Sequence, residues 1–210
     1  MTTGSDASHW DDVYDRVGAD RVSWYQTDAA VSASLIAAAG PVGSVVDISG
    51  RASVLVDELL TGGVGDVTVL DLSPQALDVA RRRLGPRAAQ VWWLNQDVRT
   101  WRPDRRFDLW HDRAVFHFLT DPADRDAYRT ALRQALQPRG YLVIGTFATD
   151  GPTHCSGLPV SRYGPDTLAG QFPDLEVVEA RRVEHVTPGG TTQPFTWLLL
   201  RAPGRHSGLA

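Results

Sequence analysis

The sequence predicts a single α/β domain, a mostly parallel open sheet with an antiparallel hairpin at its C-terminal edge. Three observations carry this. Short, almost continuously apolar runs alternate with helix-period segments. The helical segments have readable caps. Near the C-terminus the alternation gives way to two β-rich runs around "TPGGTT", a hairpin pattern.

"SVVDIS" (44–49), "DVTVLDL" (66–72), "QVWWLNQD" (90–97), "FDLWHD" (107–112) and "YLVIGTFA" (141–148) read as strands. Nearly unbroken apolar character suits strands covered on both faces. Between them, "DAAVSASLIAAAG" starts at a capping candidate, Asp28, and stops at Gly40. "SPQALDVARRRLG" has Ser73 as N-cap and Pro74 in the first turn, with Leu77, Ala80 and Leu84 on one face. "DPADRDAYRTALRQAL" repeats this logic with Asp121 and Pro122 and buries Tyr128, Leu132 and Leu136. After Ala148 comes a long loop, "TDGPTHCSGLPVSRYGP", then a short helix near Asp166–Gln171 and the hairpin "LEVVEARRVEHV"/"QPFTWLLLRA". A loop of that length in a compact domain is usually functional or mobile.

Composition bounds the function. The chain has 210 residues, 42 % hydrophobic and 22 % charged, with net charge −4. One globular domain fits, and no global basic field recruits nucleic acid or an anionic membrane. Arg81, Arg82 and Arg83 read as a solvated helix face. "MTTGSDASHWDD" has no apolar core of a secretory signal, and no run is long enough to span a bilayer. Cys155 is the only cysteine, and no Cys/His cluster has zinc spacing. The expectation is a cytoplasmic protein without a metal, monomeric or homodimeric.

Ligands of open α/β sheets sit at the carboxyl ends of the strands. Three acids fall there: Asp47, Asp71 and Asp97 ending the first, second and third strands. A carboxylate at the second strand's end suits a ribose, and a polar side chain at the third suits an adenine amino group. A dinucleotide fits less well, because its pyrophosphate needs a glycine-rich turn. The turn here, "DISGRAS", offers only Gly50, and Asp47 repels phosphate. A cationic nucleoside without phosphates, such as S-adenosylmethionine, suits the acids better.

At these residues the chain resembles the class I S-adenosylmethionine-dependent methyltransferases. "VVDISGRAS" resembles the family's first motif, "VLDLSP" its second, "NQDV" its third, and "FDLWHDRAVFHFL" the segment after strand four. "HWDDVYDRVGADRVSWYQ" is similar to the N-terminal cap of a subgroup that includes protein lysine methyltransferases. The resemblance spans about Trp10 to Arg201. It implies a Rossmann-like fold with a seven-stranded, mostly parallel sheet in the order 3-2-1-4-5-7-6. It also implies a cap segment over 1–27, a cofactor-binding domain over 28–202 and a flexible tail over 203–210.

The same resemblance implies roles. Asp47 would lie under the cofactor's amino acid part, with Ser49, Gly50 and Arg51 forming the loop beside it. Asp71 would bind the ribose, Leu72 pack on adenine, and Asp97 with the Val98 backbone meet the adenine amino group. His111 and Asp112 would line the methionine side. Trp10, Tyr14, Trp24 and Tyr25 would close the site, aromatic faces near a sulfonium adding about 0.5–2 kcal/mol of cation–π attraction. Ser49 and Arg51 depart from the family's glycines, and Arg51 would either fork onto the cofactor carboxylate or pair with Asp47.

For the chemistry, His111 and His117 are the candidate bases, with His154 behind them and Asp112 as an orienter. Arg113, Arg162 and Tyr163 are candidates for a substrate carboxylate. Trp92 and Trp93 read as packing residues, His185 and His206 as peripheral. Cys155 lacks an activating pair beyond adjacent His154. The expected activity is methyl transfer to a small molecule. The alternatives are a protein lysine methyltransferase, suggested by the cap, and a methyltransferase-like protein that no longer methylates, suggested by the altered glycine loop.

Overall fold

The computed structural model describes residues 7–18, 21–48 and 54–204. Seven strands form the main sheet: β1 (Ser44–Ile48), β2 (Asp66–Asp71), β3 (Val91–Asn95), β4 (Phe107–Arg113), β5 (Leu136–Phe147), β6 (Glu176–Val186) and β7 (Thr192–Arg201). Counted this way, their order across the sheet is 3-2-1-4-5-7-6. The first five run parallel, and β7 lies antiparallel between β5 and β6. The hairpin therefore sits at the expected edge, with its second strand inward as the order 3-2-1-4-5-7-6 implies. Burial explains the choice. "FTWLLL" is buried throughout, whereas most of β6 is exposed. The unbroken apolar strand takes the inner position and the charged, alternating strand blunts the edge.

Among the described residues, six α-helices accompany the sheet: α1 (Ala7–Val17), α2 (Ala30–Ala39), α3 (Leu55–Thr61), α4 (Pro74–Leu84), α5 (Pro122–Ala135) and α6 (Pro165–Ala169). Their starts follow the capping residues. Ser73 Oγ accepts from Ala76 N at 3.0 Å, and Asp121 Oδ1 from Ala123 N at 2.8 Å. Such caps stabilise a helix by about 1 kcal/mol each. Asp28 also caps, accepting from Ala30 N at 3.1 Å, while Glu58 on α3 holds Ala29 N at 2.7 Å.

The core has two halves, one on each sheet face. Residues of α1, α2, α3 and α4 pack with Val45, Val67, Leu109 and Trp197. On the other face, α5 and α6 pack with Val46, Ile48, Trp110 and Leu198. Successive strand residues point to opposite faces, so Val45 and Val46 belong to different halves.

Two boundaries differ from expectation. Strand β5 begins at Leu136, directly after α5, and carries the "QPRG" turn signal inside it as an irregularity. Arg139 there has φ 63°, and its N–H reaches Pro203 O at 3.1 Å. The long loop after β5 is also ordered. His154–Cys155 pairs with Leu158–Pro159 as a small separate ladder. Ser161 N donates to His117 O at 2.8 Å and Tyr163 N to Phe147 O at 2.9 Å, tying the loop to the sheet. Among the described residues, no helix is long and apolar enough to cross a membrane.

Candidate active site

The carboxyl ends of β1, β2 and β4 converge under the aromatic segment at the N-terminus. Asp47 is the next-to-last residue of β1 and is 1 % exposed. Its Oδ1 accepts from His111 Nδ1 at 2.7 Å. The other ring nitrogen, Nε2, meets Ser32 Oγ on α2 at 2.9 Å. His111 and Ser32 are likewise buried. A three-residue chain thus joins α2, β4 and β1. Its far end is open: Asp47 Oδ2 is buried and has no hydrogen-bond partner among the described residues. Unpaired buried polar atoms are rare and costly, so this oxygen is suited to a cationic or N–H donor.

Because both nitrogens of His111 are engaged, neither is left to take a proton from an acceptor. The orienting carboxylate is also not the one expected. His111 and Asp112 are consecutive on a strand and face opposite sides of the sheet. Asp112 therefore sits in the α5 half of the core, fully buried. There it accepts from Tyr128 Oη at 2.7 Å, from Val115 N at 2.9 Å and from Phe116 N at 3.2 Å. Burial raises its pKa to about 6, against the lowering effect of those bonds. Burial, then the neighbouring Asp112, holds the Tyr128 phenol well above its usual range, so it stays a donor. Tyr128 accepts in turn from Trp110 Nε1 at 2.8 Å.

Just past β4, Ala114 has φ 64° and is buried. A non-glycine residue there costs about 1–2 kcal/mol. The turn is held by the Asp112 bonds and by Ala114 N donating to Gly145 O at 2.8 Å. Gly145 is needed for a different reason. A Cβ there would lie 2.8 Å from the Trp197 ring, which in turn stands 6.3 Å from the His111 ring.

At the end of β2, Asp71 Oδ1 accepts from Ser73 N at 2.8 Å. Ser73 Oγ donates to Asp11 Oδ1 on α1 at 2.5 Å, pinning the cap helix to this strand end. Leu72 beside it is half-buried against the α1–α4 core. Asp97 is engaged differently from expectation. Arg99 grips it through Nε at 2.8 Å and Nη2 at 2.5 Å to Oδ2. Arg99 also reaches Asp124 at 3.3 Å. Val98 next to it is buried in the α5 half of the core.

The aromatic cap is packed as a unit. Trp10, Tyr14 and Trp24 are buried and meet edge to face, Trp10 to Trp24 at 5.8 Å and Tyr14 to Trp24 at 6.1 Å between centroids. Trp10 also contacts Phe118 at 5.1 Å, and Tyr25 is half-buried beside them. Arg113 Nη1 donates to Trp24 O at 2.7 Å, and its guanidinium lies over Phe195. His185, expected to be peripheral, is buried and holds Ser23 O at 2.8 Å. Burial and then the Arg113 charge lower its pKa, so the ring is a neutral donor.

The other candidates scatter. His117 is fully buried between the rings of Phe118 and Phe147, at 4.6 and 4.7 Å, and Phe147 N donates to its Nδ1 at 3.4 Å. His154 is exposed. Arg162 is exposed and bonds Gly151 O at 3.1 Å. Tyr163 is buried in the α5 half, its ring 5.8 Å from Phe116. Trp93 packs under Arg81, while Trp92 is 66 % exposed. Ser49, Gly50, Arg51 and His206 lie outside the described residues. The sequence reading missed Ser32, Asp11 and Gly145. Nothing local marks them, because each matters through a contact with a distant element.

Part of the chain is similar to known proteins. A family model described as a methyltransferase domain matches residues 45–140. The matched stretch is a little under half of the chain and holds β1 to β4, α3, α4 and α5. Nodulation protein S of Rhizobium tropici is 31 % identical over 109 residues, covering 52 % of this chain and 45 % of that protein. The aligned part is thus less than half of that relative's length. Among solved structures, N-methyltransferase NodS from Bradyrhizobium japonicum WM9 in complex with S-adenosyl-L-homocysteine superimposes with TM-score 0.71 at 18 % identity, covering 94 % of this chain and 100 % of that one. Burkholderia thailandensis 1,6-didemethyltoxoflavin-N1-methyltransferase, with bound 1,6-didemethyltoxoflavin and S-adenosylhomocysteine, gives 0.68 at 22 %, over 94 % and 84 %. At such identities these two likenesses speak for the fold.

Proposed function

We propose that this protein transfers the methyl group of S-adenosylmethionine to a small-molecule acceptor. The observation that carries the reading is the open, buried Oδ2 of Asp47 at the end of β1, inside a methyltransferase domain. A ligand ammonium is the natural complement of a desolvated carboxylate oxygen.

The residues fit such a cofactor. Asp47 takes its amino group, Asp71 its ribose hydroxyls, and Leu72 packs against its adenine. Asp97, already gripped by Arg99, meets the adenine side as a preformed pair, with the Val98 backbone next to it. Trp10, Tyr14, Trp24 and Tyr25 exclude water above the site. Arg113 acts by holding Trp24, and His111 by holding Asp47. Ser49, Gly50 and Arg51, assigned to the methionine end, lie outside the described residues. The bound cofactor supplies an electrophilic methyl carbon on a sulfonium.

The small-molecule acceptor is supported by the Burkholderia neighbour, which holds 1,6-didemethyltoxoflavin. It is also supported by the folding of the post-β5 loop back over the carboxyl ends, through Ser161 and Tyr163. Arg162, exposed on that loop, is the residue assigned to a substrate carboxylate. The cap is residues 1–27 and the body 28–202, and the reading is of a cytoplasmic enzyme acting as a monomer or homodimer without nucleic acid.

The test is thermal unfolding with S-adenosylmethionine and with S-adenosylhomocysteine. Ligand at 100 times its dissociation constant stabilises by about 2.7 kcal/mol. A clear rise in Tm supports the reading, and no rise at millimolar ligand rejects it. Asp71→Ala is expected to lose the rise.

A further inference from the structure

We infer that Ser32 and His111 are positioning residues for cofactor binding, acting through Asp47. This rests on the reading above that the site takes S-adenosylmethionine. It adds the device that aims the carboxylate.

The chain of contacts is Ser32 Oγ to His111 Nε2 at 2.9 Å, then His111 Nδ1 to Asp47 Oδ1 at 2.7 Å. All three residues are at most 3 % exposed, so water does not replace any link. A carboxylate accepts but does not donate, so Nδ1 carries the proton that Asp47 takes. The imidazole is fixed at both ends and cannot flip. With Oδ1 fixed by His111, the carboxylate cannot turn about its own axis without breaking that bond. Oδ2 is thereby held in one direction, and no described residue satisfies it. The ring is backed by Trp197, which Gly145 admits against the sheet.

Two alternatives fail on the same contacts. A catalytic base needs a free nitrogen, and His111 has none. A purely structural ion pair would use both carboxylate oxygens, as Asp112 does on the opposite face of the sheet. The arrangement matches a preorganised binding group, with its supporting bonds made beforehand and its binding atom left open.

The experiment compares two ligands within each protein. S-Adenosylhomocysteine carries the amino acid end, and 5′-methylthioadenosine is a similar nucleoside without it. Calorimetric titration gives the ratio of their affinities, which is independent of the folded fraction. Wild type should favour S-adenosylhomocysteine strongly. His111→Leu should lower the ratio at least about tenfold, and Ser32→Ala about threefold. His111→Asn, which restores an N–H donor near Nδ1, should recover most of it. A ratio unchanged in His111→Leu, or lowered equally in His111→Leu and His111→Asn, overturns the positioning role while the function stands. If wild type binds neither nucleoside, the functional reading itself fails, and the inference with it.

Discussion

Two buried aspartates, Asp47 and Asp112, sit on opposite faces of the same sheet, and they are finished differently. Asp112 is closed. Tyr128, Val115 and Phe116 fill its oxygens, and its cluster stitches β4 to α5 and to the turn after the strand. Asp47 is half-closed, with one oxygen held by His111 and the other without a partner among the described residues. Burial is the same for both, so burial alone does not separate them. What separates them is hydrogen-bond completeness. A saturated buried carboxylate serves the fold. One with an oxygen left open among the described residues is suited to take a donor from a ligand.

The contrast can be broken first at its closed end. Asp112→Ala leaves two backbone N–H groups and the Tyr128 hydroxyl without their acceptor. At about 1–2 kcal/mol for each orphaned group, urea unfolding should show a loss of about 4 kcal/mol. A loss below about 1 kcal/mol would mean that water enters this half of the core and that the cluster is not closed.

A pH series sharpens the same point. The folded pKa of Asp112 is raised to about 6 from an ordinary 3.8. The native state therefore binds this proton more tightly than the unfolded chain. The contribution to stability is fully present below pH 3.8 and is lost as pH rises through about 6. Relative to Asp112→Asn, which does not titrate, wild type should lose about 3 kcal/mol between pH 3.5 and 7. A difference independent of pH would contradict the closed, dry environment.

A smaller effect is expected on the open side. Gly145→Ala drives a methyl group into the Trp197 ring. Overpacking should cost about 2 kcal/mol of stability. It should also weaken S-adenosylhomocysteine binding, because the displaced Trp197 ring packs near His111. Full stability with unchanged binding would show that the ring moves freely.

Much of the fold was legible in the sequence, because strand and helix periods and caps are local signals. Ser73, Asp121 and the apolar runs marked their elements directly, and Asp47 and Asp71 stand at the strand ends where the pattern put them. The inward place of β7 came only from the family resemblance, which implied the order 3-2-1-4-5-7-6. Side-chain partners were not legible. The pairing of His111 with Asp47 rather than adjacent Asp112 follows from strand alternation combined with sheet order, and sequence adjacency suggests the opposite. The Arg99 grip on Asp97 is only two residues long, yet "DVR" by itself does not announce it. The use of Ser32 and Asp11 depends on where α2 and α1 dock, which no local pattern encodes.

The most direct test of the contrast is the dissociation constant of S-adenosylhomocysteine for Asp47→Asn and for Tyr128→Phe, measured beside wild type. Asp47→Asn removes the charge from the open oxygen, while Tyr128→Phe removes one bond from the closed cluster. The account predicts at least tenfold weaker binding for Asp47→Asn and a change within about threefold for Tyr128→Phe. Equal affinities for Asp47→Asn and wild type would contradict it.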